Sequence, residues 1–194
     1  MLDKRKFYIN GQWLSPTKPN DLEVINPSNE DSYAIISLGS KEDTDAAVKA
    51  AKHAFVDWKE TSKEERINLL EKLLKVYKKR FNEMAEAMSM EMGSPIDFAI
   101  STHAASGQGH LEDFILRLKD FKFEEHFNSK SNNHIAREPI GVCGLITPWN
   151  WPINQITLKV APAFAAGCTM ILKPSEIAPL SGMVFADMVN EAGF

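Results

Sequence analysis

Apolar residues along this chain follow a helical period over most of its length and turn into short continuous runs only near its end. Ala47, Ala51, Phe55 and Trp58 recur at helical spacing, and Ile67, Leu70, Leu74, Tyr77, Phe81, Met84 and Met88 form a longer stripe. Each stretch opens on a start signal. Ser40 is followed by Asp43, and Ser62 by Glu65, the spacing at which a cap hydroxyl and an acidic side chain exchange hydrogen bonds with the backbone. The longer stripe predicts one long helix, stopped by Gly93 and Pro95. A third helix is expected from about Pro95 to Leu118, carrying Phe98, Leu111, Phe114, Ile115 and Leu118. Ahead of the helices, residues 7–14 alternate loosely around Gly11 and predict a short hairpin. Asn26-Pro27-Ser28 signals a turn, and Tyr33 to Leu38 a strand. Residues 1–120 therefore read mainly as a helical layer.

Residues 121–138 change character. Asn128, Ser129, Ser131, Asn132 and Asn133 predict a polar turn with flanking strands. From about Ile140 the order becomes strand, turn, helix, strand, turn. Val142 to Ile146 is apolar and empties into Thr147-Pro148-Trp149-Asn150-Trp151-Pro152. A helix-length stretch follows within 153–166, and a second run, Thr169 to Leu172, empties into Lys173-Pro174-Ser175-Glu176. This is a βαβ crossover, so both polar turns lie at the carboxyl edge of a parallel pair, where open α/β sheets bind ligands.

That edge offers an amide, a cation and an anion, each with two readings. Asn150 before Trp151-Pro152 can serve turn chemistry alone, or its side-chain NH2 can donate to a developing oxyanion. Lys173 and Glu176 can be a solvated pair, or a clamp on ribose hydroxyls at the end of the second strand. The glycine-rich dinucleotide fingerprint is missing after the first strand, where Thr147-Pro148-Trp149-Asn150 stands instead.

Composition narrows the class. With 44% hydrophobic and 25% charged residues the chain is of ordinary globular type, and a net charge of −4 argues against nucleic acid or an anionic membrane as partner. No apolar run approaches the ~18 residues of a membrane span, and the N-terminus has no secretory apolar region. Cys143 and Cys168 make no disulfide framework, so the cytoplasm is the expected compartment. Cys143 lies inside an apolar strand and Cys168 follows Ala166-Gly167, so both read as small buried hydrophobes, not nucleophiles. His53, His103, His110, His126 and His134 have no metal-ligand spacing, and no metal is expected. Met84, Met88, Met90 and Met92 read as core filling.

The two motifs at this spacing strongly resemble the aldehyde dehydrogenase superfamily, whose members carry T/S-P-W-N-F/W-P and K-P-S-E. The resemblance extends from Phe7-Tyr8-Ile9-Asn10-Gly11-Gln12-Trp13 and Asn26-Pro27 to Glu191-Ala192-Gly193-Phe194. It implies an α/β fold, the N-terminal part of the aldehyde dehydrogenase fold, with a helical layer followed by a partial Rossmann-like parallel βαβ sheet. Residues 1–122 and 139–194 would form part of an NAD-binding domain, 123–138 an oligomerisation-type strand and turn segment, and the catalytic domain would be absent. It further implies oxidation of an aldehyde to a carboxylic acid through a cysteine thiohemiacetal, as part of a longer enzyme and in a homo-oligomer.

By that resemblance Asn150 is the catalytic oxyanion donor. Ile146, Thr147, Pro148, Trp149, Lys173, Ser175 and Glu176 bind the cofactor, which is NAD in preference to NADP because Glu176 would repel a 2′-phosphate. The nucleophile and the general base lie beyond residue 194 in family members. The alternative is an inactive remnant serving as a nucleotide-binding or interaction module.

Overall fold

A computed structural model of the chain describes residues 1–128 and 132–194; the expected turn residues Ser129 and Ser131 lie outside them. The N-terminal hairpin pairs β2 (Phe7–Ile9) with β3 (Gln12–Leu14), following the short β1 (Leu2–Asp3). Its two-residue turn has positive φ at Asn10 (52°) and Gly11 (74°), the backbone that matches strand twist and that Asn-Gly supplies at low cost. β4 (Asp21–Ile25) runs antiparallel to β5 (Ser32–Ser37), and β1 pairs parallel on the other side of β5. The helical layer expected over residues 1–120 therefore includes a small three-stranded sheet. Asp21-Leu22-Glu23-Val24-Ile25 alternates, and Leu22 and Val24 join a small core with Ala34, Ile36 and Leu180.

The helices α1 (Lys41–Trp58) and α2 (Lys63–Lys79) both begin on complete capping boxes, Ser40 with Asp43 and Ser62 with Glu65. The single helix expected up to Gly93 is broken. Arg80 has φ −105° and ψ 20°, and α3 (Phe81–Met92) starts afresh after it, ending on left-handed Gly93. The break lets the apolar faces on both sides of Arg80 address one core, since Tyr77, Met84 and Met88 are all fully buried there. The expected third helix is one turn, α4 (Ile96–Phe98), then a π-helical stretch at Ala99–Ala104, then α5 (Ala105–Asp120).

β6 (Glu124–His126) and β7 (His134–Ala136) form a separate antiparallel pair. β8 (Val142–Ile146) and β9 (Thr169–Lys173) are parallel neighbours joined by α6 (Pro152–Ala165), as the pattern of runs predicts, and α7 (Leu180–Ala192) follows. Leu145, Met170 and Leu172 pack on the main core, which α2, α3, α5, α6 and α7 build from Leu73, Tyr77, Met84, Leu111, Ile156 and Phe185 among others. On β9, Thr169 Oγ1 donates to Ala51 O of α1 at 2.8 Å. Packing between α2, α5 and α6 is tight at Gly107. A Cβ there would stand 2.5 Å from Tyr77 Oη, the hydroxyl that donates to Ala104 O at 2.8 Å.

Candidate functional site

The ladder between β8 and β9 determines what meets at the sheet edge. Ile146 is the register partner of Lys173, and the Thr147 N–H donates to Lys173 O at 3.2 Å. Both loops therefore leave the sheet side by side. Thr147 is buried, whereas Pro148, Asn150 and Ile146 are exposed and Trp149 is half-exposed.

The first loop is held by Trp151 and Pro152. Proline at the first helical position has no N–H to leave unpaired, and Gln155 N–H donates to Trp151 O at 3.1 Å to begin α6. The Trp151 ring meets the edge of His103 at 5.5 Å, and His103 meets Phe98 at 5.1 Å. His103 is buried, and burial pushes its imidazole down towards the neutral form. The π-helical stretch thus gives Trp151 an uncharged aromatic support, with Asn150 next to it in the chain. One turn into α6, Asn154 pairs with His110 at 2.7 Å.

The second loop starts at Lys173, whose ammonium donates to Glu176 Oε2 at 3.0 Å. Ser175 Oγ accepts the Ile177 N–H at 3.3 Å, a local turn that shapes the segment. A hydrogen bond from its own backbone N–H, then one from Lys173, holds the Glu176 carboxyl below its usual range, so it is anionic at neutral pH. Lys173 and Glu176 stay largely open to solvent, at 62% and 47% side-chain exposure, which leaves both free to meet a ligand.

The far end of this loop is anchored by a residue that sequence reading missed. Glu91 of α3 is 2% exposed, and its carboxylate accepts the Leu180 N–H at 2.5 Å and the Ser181 N–H at 3.2 Å. These are two of the unpaired donors at the start of α7. Burial, opposed by those hydrogen bonds, pushes the Glu91 carboxyl up to about 7. The sequence signal was available: Glu91 follows Met84 and Met88 on the apolar stripe, a position where a carboxylate has no reason to be without a buried partner.

Neither thiol carries the features of a nucleophile. Burial, reinforced by nearby Cys168, pushes the Cys143 thiol up, which disfavours the thiolate, and Cys168 is buried. Among the described residues no cluster of histidine, cysteine or carboxylate side chains could hold a metal ion, and no helix is long and apolar enough to cross a membrane. His126 and His134 are cross-strand partners on β6 and β7, with ring centroids 4.2 Å apart.

Comparison with known proteins places this architecture. A 3-succinoylsemialdehyde-pyridine dehydrogenase of a Pseudomonas species is 49% identical over the whole chain. The chain covers 40% of that relative, and it spans about 40% of the length of the other curated relatives it matches. Among solved structures, an aldehyde dehydrogenase of Bartonella henselae superposes with a TM-score of 0.98 at 54% identity, covering all of this chain and 41% of that one. A mutant of aldehyde dehydrogenase C from Pseudomonas syringae, solved with NAD+ and octanal, gives 0.94 at 44% identity, over 98% of this chain and 39% of that one. The aldehyde dehydrogenase family model matches residues 13–194, and the chain belongs to that family.

Proposed function

We propose that this chain supplies the adenosine-ribose clamp and one oxyanion donor of an NAD-dependent aldehyde dehydrogenase, which oxidises an aldehyde to a carboxylic acid. The observation that carries the reading is the register pairing of Ile146 with Lys173, because it brings the Asn150 loop and the Lys173–Glu176 pair to one sheet edge. Structural relatives from Pseudomonas syringae and Mycobacterium tuberculosis are complexed with NAD+, which supports the cofactor.

The residues present fit that cofactor. Glu176 is ionised and exposed enough to accept both hydroxyls of a cis-diol, and Lys173 beside it can donate to a ribose oxygen. A 2′-phosphate would meet the Glu176 charge, so NAD is preferred over NADP. In the same reading Ile146 at the end of β8, with Thr147, Pro148, Trp149 and Ser175 on the two loops that leave this edge, contributes to cofactor binding. When bound, NAD+ accepts a hydride from the substrate carbon. Asn150 would donate its side-chain NH2 to the oxyanion formed when a thiolate attacks the aldehyde. That thiolate and the general base come from the remaining part of a protein of the relatives' length, since Cys143 and Cys168 are disfavoured as nucleophiles. The paired strands β6 and β7, within the segment 123–138, serve oligomerisation in the same reading.

The test uses a full-length enzyme carrying this chain, completed with the remainder of the Bartonella henselae relative. NADH formation from short aldehydes and tighter binding of NAD than NADP are expected. Equal affinity for the two cofactors, or activity abolished by Cys143→Ser, overturns the assignment. The second reading, an inactive binding module, is favoured if the completed enzyme binds NAD in a titration without oxidising any aldehyde.

A further inference from the structure

The loop from Lys173 to Leu180 is fastened at its two ends by different means. At its start, Lys173 is held in the β8–β9 ladder. At its end, the backbone N–H groups of Leu180 and Ser181 both converge on Glu91, a side chain 89 residues away in sequence from Leu180. Among the described residues, no side chain of α7 itself caps this helix, whose cap position is Pro179. Glu91 therefore does from α3 what an N-cap side chain does within a helix, with carboxyl oxygens as acceptors at the positive end of the helix dipole.

We infer that Glu91 is a positioning residue for cofactor binding, holding the Pro174–Pro179 segment so that Glu176 and Lys173 meet the ribose at the sheet edge. The inference rests on the ribose-clamp reading of that pair. Glu91 itself is buried and touches no ligand. Its effect passes through the α7 start, reinforced where Gly182 packs under Pro174, close enough that an added Cβ would stand 3.3 Å from Pro174 Cγ.

A carboxylate in such a place is costly to maintain. Glu91 is fully enclosed, and the charged groups on neighbouring elements are engaged elsewhere: Glu83 with Arg80, Asp187 with Trp13, Glu191 with Lys79. Tyr33 on β5 feels its charge, and burial pushes that phenol up as well. Among the described residues no cation pairs with Glu91, and such a core position would be better filled by Leu or Met unless the acceptor served a geometric purpose.

The test compares Glu91→Gln, Glu176→Gln and the unaltered full-length enzyme, with KM for NAD, turnover and the NAD-to-NADP preference measured for each. Glutamine keeps the shape and one acceptor oxygen but replaces the other with a donor NH2, so the two N–H groups of Leu180 and Ser181 no longer share a carboxyl. It should raise KM for NAD roughly tenfold, the scale of one lost hydrogen bond, with turnover at saturating NAD kept within about twofold. The preference for NAD should narrow with it. A lower melting temperature with KM for NAD unchanged, while Glu176→Gln raises that KM, would show that Glu91 is only structural and would overturn the inference. If neither variant changes KM for NAD, the ribose-clamp reading itself fails and takes the inference with it. Should Glu91→Gln not fold, Glu91→Asp decides, since its shorter reach must displace the α7 start and raise KM for NAD.

Discussion

Ile146 and Lys173 stand opposite each other in the last rung of a parallel ladder, and the Thr147 N–H closes it on Lys173 O at 3.2 Å. The relationship has a direct chemical consequence. Two loops that are separate in sequence leave the sheet from adjacent strand ends, one with the exposed Asn150 amide and the other with the Lys173–Glu176 pair. Without the register, a one-residue slip would point Ile146 and its loop to the opposite face.

Asn150→Ala in the full-length enzyme should lower turnover by about 100-fold, the usual scale for losing one preorganised oxyanion donor. Affinity for NAD should stay within about twofold of the parent. Single-turnover acylation is the deciding measurement. An undiminished acylation rate would make Asn150 a turn residue only.

Glu176→Gln removes a charge that is anionic at neutral pH and half-exposed. NAD binding should weaken by roughly tenfold, because a neutral amide accepts from a diol less strongly than a carboxylate. NADP binding should improve relative to NAD, since the repulsion of its 2′-phosphate is gone. Calorimetric titration of both cofactors checks the two effects separately, and an unchanged ratio would dismiss the ribose role.

Gly167 and Arg66 should behave as a coupled pair. Gly167 has φ +82°, and a Cβ there would lie 2.8 Å from Arg66 Nη1. Gly167→Ala should cost about 1–2 kcal/mol from the left-handed backbone alone, and more from displacing the guanidinium. Arg66 donates to Thr61 O at 2.6 Å and Ala165 O at 3.2 Å, so Arg66→Ala should cost about 1–3 kcal/mol by leaving two half-buried carbonyls without this partner. Urea unfolding of both singles and the double tests the coupling. The double should cost less than the sum, because the alanine at 66 makes room for the new methyl.

Two carboxylates should give opposite pH dependences of stability. Burial of Asp43 favours its neutral form, but hydrogen bonds from the Thr17 backbone and from Ser40 outweigh it and hold the carboxyl well below its usual range. A depressed pKa means its contribution is present above the unfolded value of 3.8 and is lost as pH falls below it. Glu91 is raised from 4.5 to about 7, so its contribution is full below 4.5 and is lost as pH rises through 7. Unfolding free energies across this range should therefore fall at the acid end less steeply in Asp43→Asn. They should fall less between 4.5 and 7 in Glu91→Gln, and an unchanged slope in that variant would contradict the buried acid.

Much of the architecture was legible because its determinants are local. Capping boxes at Ser40 and Ser62 are read from residues three positions apart, the βαβ order from the length and polarity of successive runs, and the Asn10-Gly11 turn from the backbone those residues tolerate. Candidate chemistry at Asn150, Lys173 and Glu176 was visible for the same reason, since strand ends are marked in the sequence itself. The tertiary structure alone decided what depends on distant partners. The helix break at Arg80 follows from the need to turn two apolar faces onto one core, and a single periodic stripe does not encode it. Glu91 finds its donors 89 and 90 residues away, and Arg66 its carbonyl partner 99 residues away. A buried charge is tolerated only where the folded chain delivers such partners, and no local period of hydrophobic and polar residues records where they come from.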